Sequence, residues 1–205
     1  MPAPITHIVL TEKVFKKHFS SKNRAEFLIG TSLPDIRYFG NLDREKTHFF
    51  DLKLADIKNE DSFKAGFKFH SLVDEVHNSF FSLRENPFFL EPIEITAVSL
   101  KFFEDELFYD YISSWVETSD FFDKSLKEEI AVVGSKEDVM DWHEALKDYF
   151  LIKPNPESRR KVLEKTNFSD DLALQIEKFI EQMKKMPQVK ESVLEFYNNF
   201  EQLIS

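Results

Sequence analysis

The run Phe63-Lys-Ala-Gly-Phe-Lys-Phe-His70-Ser-Leu-Val-Asp74-Glu-Val-His77-Asn78 repeats its apolar residues at intervals of three and four, the period of an amphipathic helix. At about 100° per residue, Phe69, Val73, Val76 and Phe80 mark a buried arc, while Lys64, Lys68, Ser71, Glu75 and Asn78 mark the side expected to meet water. His70, Asp74 and His77 fall within roughly 60° of one another, continuous with the apolar arc and flanked by Phe63 and Phe67. Steps of four and three set such side chains on one surface, about 5–6 Å apart at Cβ. Two imidazoles and a carboxylate turned inwards need partners, because burying an unpaired charge or donor costs several kcal/mol. A cation is one such partner, and a His–Asp hydrogen bond at the core edge is the other.

Outward from this run, the segment Pro4 to Phe19 reads as a helix whose apolar arc holds Ile8, Leu10, Val14, Phe15 and Phe19, with Glu12, Lys13, Lys16 and Lys17 facing water. His7 and His18 sit within that arc. Thr6 stands where a side-chain oxygen caps free amides, which makes His7 a well-placed ligand. His18, about three turns away, reads as a core or partner-bonded histidine. Between the two helices, Gly30 and Pro34 punctuate the run Phe27-Leu-Ile-Gly30-Thr-Ser-Leu-Pro34-Asp35-Ile-Arg37-Tyr, and Asp35 is expected to leave regular structure. His48 follows in Asn41-Leu-Asp-Arg-Glu-Lys-Thr47-His48-Phe49-Phe50, a stretch that reads as too polar for the core.

The ordered set Met-Pro-Ala-Pro-Ile-Thr-His7, Leu33-Pro34-Asp35, Thr47-His48 and Gly66-x-x-x-His70-x-x-x-Asp74 resembles the zinc-dependent phospholipase C superfamily, over roughly residues 1–115. Bacterial phospholipases C and single-strand nucleases belong to it. The resemblance implies a helical bundle around a zinc cluster that hydrolyses phosphate esters of lipids or nucleic acids. It implies His7, Asp35, His48, His70 and Asp74 as metal ligands, with His77 as a further one. Secreted members also ligate through a processed amino-terminal tryptophan and a later His-x-x-x-Glu pair. Here the chain opens Met1-Pro2, without a signal peptide, and the only histidine after His77 is His143, in Asp141-Trp142-His143-Glu144.

A substitute ligand is offered by the helix expected from Pro92 to Trp115, whose apolar arc of Ile93, Ala97, Leu100, Phe103, Leu107, Phe108 and Tyr111 also contains Glu104. Asp105 and Glu106 are expected to face away from that arc, and Asp110 lies at its edge. One or two ions are therefore expected. A cation held by imidazole and carboxylate lowers the pKa of bound water towards about 7, and two ions about 3.5–4 Å apart clamp attacking and leaving oxygens in an in-line displacement at phosphorus. Asp35 would bridge ions or act as base, and Arg37 would either hold a phosphate or serve as a surface ion-pair partner. The donor set favours zinc, with iron, nickel or manganese as other fits.

At 205 residues the chain suffices for one domain with a sizeable core. Four glycines and eight prolines, 31% charged residues and apolar spacings of three and four throughout indicate an all-α, multi-helix bundle of the phospholipase C/nuclease type with additional C-terminal helices. No strand alternation, G-x-G-x-x-G or Walker loop is present. Residues 116–205 read as helices near Asp120–Val133, Lys136–Tyr149, Glu157–Thr166, Asp170–Lys185 and, with Pro187 as a break, Val189–Leu203. The stretch Lys153-Pro154-Asn155-Pro156 is the clearest hinge, yet these helices are expected to pack on the metal-bearing half as one domain.

Twenty-three phenylalanines imply an aromatic core, and the doublets Phe49-Phe50, Phe80-Phe81, Phe88-Phe89 and Phe121-Phe122 direct some rings towards a pocket mouth or lipid. No run of eighteen apolar residues exists to span a membrane, and Glu12 and Lys13 fall where a secretory segment needs its apolar core. A cytoplasmic location follows. Zero cysteines exclude disulfides and thiolate metal sites. A net charge of −10 weighs against strong nucleic-acid binding, and Arg159-Arg160-Lys161 and Lys184-Lys185 read as solvated helix faces. The expected activity is a metal-dependent phosphoester hydrolase acting on a small phosphodiester or a phospholipid head group. The alternative is a non-catalytic helical binding or scaffold protein with a structural metal. A phosphohydrolase of the HD type fits less well, as the chain has no His-Asp dipeptide.

Overall fold

Helices occupy most of the chain in the computed structural model, which describes residues 3–39, 42–82, 93–165 and 169–205. They are α1 (Pro4–His18), α2 (Arg24–Ser32), α3 (Arg44–Thr47), α4 (Leu54–Lys58), α5 (Ser62–Ser82), α6 (Ile93–Phe108), α7 (Trp115–Asp120), α8 (Lys127–Val133), α9 (Lys136–Phe150), α10 (Pro156–Lys165), α11 (Asp170–Lys184) and α12 (Pro187–Leu203). Short 3-10 segments cover Leu33–Tyr38, Tyr109–Tyr111 and Phe121–Asp123. Among the described residues there is no strand, and the protein is an all-α, multi-helix bundle as its periodicity indicates. No described helix is long and apolar enough to cross a membrane. The Phe88-Phe89 doublet and the expected helix start at Pro92 lie outside the described residues.

Local chemistry explains where helices begin and end differently from the periodicity. The helix expected to run to Trp115 stops at Phe108, because a 3-10 turn follows and Ser114 then caps a new helix, its hydroxyl accepting from the Glu117 amide at 3.2 Å. The Asp120–Val133 helix is likewise divided, its first part belonging to α7 and the 3-10 turn. Pro187 opens α12 rather than breaking the chain, since its fixed φ and missing N–H suit a first helical position. The α1 terminus is held from a distance: Ala3 caps nothing, and the Asp105 carboxylate of α6 accepts the Ile5 and Thr6 amides at 3.3 and 2.7 Å. Thr6 donates its hydroxyl to the same carboxylate at 2.7 Å instead of capping its own helix.

The tightest contact is between α2 and α5. A Cβ added at Gly66 would collide with the Phe27 carbonyl, and one at Gly30 with the Phe63 carbonyl. The two backbones meet because neither position has a side chain. Across this seam the Thr31 hydroxyl reaches the Phe27 and Gly66 carbonyls at 3.0 and 3.3 Å. Beside it, Phe19, Phe27 and Phe69 pack with ring centroids 4.6–5.7 Å apart, and Phe196 and Phe200 of α12 extend the aromatic core.

The C-terminal helices attach through a buried cation. Arg159 has no exposed surface and binds Glu177 of α11 through two nitrogens, at 2.6 and 2.7 Å, and Glu106 of α6 at 2.8 Å. The expectation of a solvated face fails at this residue, since a guanidinium satisfied by two carboxylates can be buried. Phe50 is 70% exposed beside Phe49 at 37%, whereas Phe81 and Phe122 are buried.

Gly66→Ala is expected to destabilise the fold by roughly 3 kcal/mol or more, because the methyl meets backbone rather than a movable side chain. Urea unfolding measures this, and a loss below about 1 kcal/mol would show that the seam can open.

Candidate metal centre

Five buried side chains from four elements converge. His7 comes from α1, Asp35 from the Leu33–Tyr38 turn, His48 from the residue that ends α3, and His70 and Asp74 from α5. Each is at most 6% exposed. Donor atoms of His7, His70 and Asp74 all lie within 4.8 Å of one another, as do those of Asp35, His48 and His70. His70 is thus shared by two overlapping triads. Its ring stacks on that of His7, with centroids 3.9 Å apart, and stands edge-on to His48 at 5.1 Å.

The supporting bonds leave particular nitrogens free to ligate. His70 donates Nδ1–H to the Thr31 carbonyl at 2.8 Å, which leaves the Nε2 lone pair turned towards Asp74 at 3.7 Å and Asp35 at 3.9 Å. Thr47 gives its hydroxyl proton to the Arg44 carbonyl at 3.2 Å and so accepts from His48 Nδ1 at 2.8 Å. The His48 lone pair is then on Nε2, 3.3 Å from Asp74 Oδ2. His7 Nε2 stands 3.4 Å from Asp74 Oδ1.

Among the described residues, both nitrogens of His7, Nε2 of His48 and of His70, and both oxygens of Asp74 are buried without a hydrogen bond of normal geometry. Such a collection is costly unless something binds to it. Two donors on one tetrahedral zinc, each about 2.0–2.1 Å from the ion, stand about 3.3–3.4 Å apart. The separations of 3.3, 3.4 and 3.7 Å between Asp74 and the three imidazoles suit that arrangement and are too long for good hydrogen bonds. The residues present therefore fit a metal ion.

Electrostatics agree with the ligand roles. Burial, reinforced by the neighbouring His7, lowers His70 to about 3, so its imidazole stays neutral at physiological pH. Burial alone would raise the Asp74 carboxyl, but His70, His48 and His7 more than reverse this and hold it well below the usual carboxylate range.

The remaining candidates are placed differently. His77 Nε2 bonds Glu104 Oε1 at 2.8 Å, and neither residue belongs to the two triads. Arg37 lies over the Tyr38 ring and donates to its hydroxyl at 2.6 Å. His18 approaches Glu201 at 3.4 Å. His143 sits between the Phe122 carbonyl and Glu129, at 3.0 and 2.7 Å, as a buried bonded pair. Asp110 is exposed and pairs with Lys153.

Two expectations are corrected. His48 is 4% exposed despite its polar neighbours, because α3 turns it inward beside the fully buried Thr47. Asp105 does not face water: it is fully buried, capping α1 and accepting from the Tyr149 hydroxyl at 3.0 Å, and burial pushes its carboxyl up to about 7 against those bonds. Two contributors went unread in the sequence. Thr31 orients His70, and Arg44 brings a guanidinium to 3.9 Å from Asp74 Oδ2; neither has a periodic or motif signal of its own.

Comparison with protein-family models, curated proteins and solved structures gives no match to this chain.

Thr47→Val is expected to weaken zinc binding about tenfold or more, with Thr47→Ser near wild type, as measured by competition with a chromogenic chelator. Equal affinities would remove the hydroxyl from the account. In metal-free protein, His70 should bind its proton at pH about 6.5 when unfolded but only near pH 3 when folded. Its stability contribution is thus complete above pH about 6.5 and is lost as pH falls towards about 3. Denaturation at several pH values should show a shallower acid dependence for His70→Gln than for wild type; parallel curves would contradict the shift.

Proposed function

We propose that the protein is a metal-dependent phosphoester hydrolase, with zinc as the preferred ion and a small phosphodiester or phospholipid-like ester as substrate. The observation that carries this reading is Asp74 ringed by three imidazole nitrogens at 3.3–3.7 Å, all buried and turned towards it. The ordered motif set that resembles the zinc-dependent phospholipase C superfamily supports the same assignment. His7, His70 and Asp74 would hold one ion, and Asp35 and His48 would form a second position through the shared His70. Bound there, a zinc ion supplies Lewis-acid polarisation of a phosphoryl oxygen and hydroxide from water at neutral pH.

Each neighbouring side chain has a definable part. Asp35 lies 3.9 Å from His70 Nε2 and also lines an adjoining cavity, which suits it to hold a proton between attacking water and solvent. Arg44 is partly exposed beside Asp74, so its planar fork can receive an anionic phosphoryl group without entering the core. The chain's net charge of −10 argues for a small ester over a nucleic-acid backbone.

A second reading, a non-catalytic helical binding protein with a structural metal, is favoured by one observation: His77 and Glu104, which would enrich the centre, are bonded to each other at 2.8 Å. Turnover separates the two. Zinc-loaded protein should hydrolyse bis(p-nitrophenyl) phosphate, and Asp35→Asn should lower kcat by about 100-fold or more while the zinc at His7, His70 and Asp74 is retained. Full zinc occupancy with no turnover across a panel of phosphomonoesters and diesters would leave the structural reading.

A further inference from the structure

A cavity of about 550 Å³ adjoins the cluster, within the range of small-molecule sites. Phe39, Val98, Phe102, Trp142 and Leu146 give it mainly apolar walls, and Asp35 belongs both to its lining and to the second triad. Asp148 and Glu164 on the lining are matched in charge by Lys161 and Lys165, and two further polar features bear on a ligand. The indole N–H of Trp142 is buried in a residue only 5% exposed and has no hydrogen-bond partner among the described residues. Lys101 brings its ammonium to the lining, 3.3 Å from the Tyr38 hydroxyl that also accepts from Arg37. An unsatisfied buried donor costs about 1–3 kcal/mol, which an acceptor oxygen on a ligand would recover.

We propose that this cavity takes the apolar part of a monomeric amphiphile, a single alkyl or aromatic group carried on a phosphoryl ester, with the phosphoryl end at Asp35 and an ester oxygen accepting from Trp142. The proposal rests on the hydrolase reading above and narrows its substrate. A volume walled by α6, α9, α10 and the Leu33–Tyr38 turn desolvates one such group withdrawn from solution. Lys101 complements the ligand's negative charge, and the apolar walls select against bare phosphate or a polar alcohol.

Calorimetric titration of the full chain with octyl phosphate, metal-free and with zinc, tests this directly. One octyl phosphate per chain is expected, bound at least tenfold tighter than inorganic phosphate. Ala145→Phe, which fills the cavity, should weaken it tenfold or more, and Trp142→Phe, which keeps an aromatic wall but removes the donor, about fivefold. Where circular dichroism shows Ala145→Phe unfolded, Trp142→Phe carries the test. Octyl phosphate binding no tighter than inorganic phosphate, or equally to wild type and every folded variant, overturns the proposal. So does co-sedimentation with phosphatidylcholine vesicles without octyl phosphate binding. Octyl phosphate bound as expected by a chain that retains no zinc upholds the cavity assignment and sinks the hydrolase reading, whereas zinc retention without octyl phosphate binding sinks the cavity assignment and leaves the hydrolase reading to be decided by turnover.

Discussion

Close approach of α2 and α5 at Gly30 and Gly66 is the constraint on which the rest depends. Only with both side chains absent do the backbones meet, and only then does the Thr31 carbonyl fall 2.8 Å from His70 Nδ1. That bond decides which nitrogen of His70 is a donor and which keeps its lone pair, and His70 is the residue the two triads share. A second support reaches α1 from α6, where Asp105 ties down the amides of Ile5 and Thr6 and so fixes His7 beside the stacked His70 ring. The scaffold therefore orients the imidazoles before any ligand arrives, which lowers the ordering entropy that binding must overcome.

The protein contains its own comparison for what a buried histidine does when its role is structural. His77 and His143 each meet a glutamate at 2.7–2.8 Å, a normal hydrogen-bond length. In the cluster the imidazole–carboxylate separations widen to 3.3–3.9 Å, and the facing atoms of His7, His48, His70 and Asp74 are left without hydrogen bonds. Burial is similar in both settings, and both bring imidazole to carboxylate. What differs is the gap, and a gap of this size between donor atoms is what a shared cation requires.

Much of this was legible in the sequence. The period of α5 places His70 and Asp74 on an inward face, and the fold brings Asp35 and His48 beside His70. Three kinds of information were not legible. A helical wheel assumes one wet side, but α6 is covered by α1 and α11, so Glu104 and Asp105 are both buried although they are adjacent. Ser71, on the expected wet side of α5, is buried because its hydroxyl accepts the Phe49 amide at 3.0 Å beside the turn that carries His48. The burial of Arg159 depends on Glu106 and Glu177, partners 53 and 18 residues away, and no local pattern encodes such a pairing.

The central claim is that the cluster is a cation site, and elemental analysis of protein purified without chelator or added metal tests it most directly. The account predicts about one or more equivalents of a transition metal, zinc foremost, absent from a folded His70→Ala, Asp74→Ala double variant. No bound metal in the wild type, even after incubation with zinc, manganese or iron, would contradict it and leave the five residues as an unsatisfied polar core.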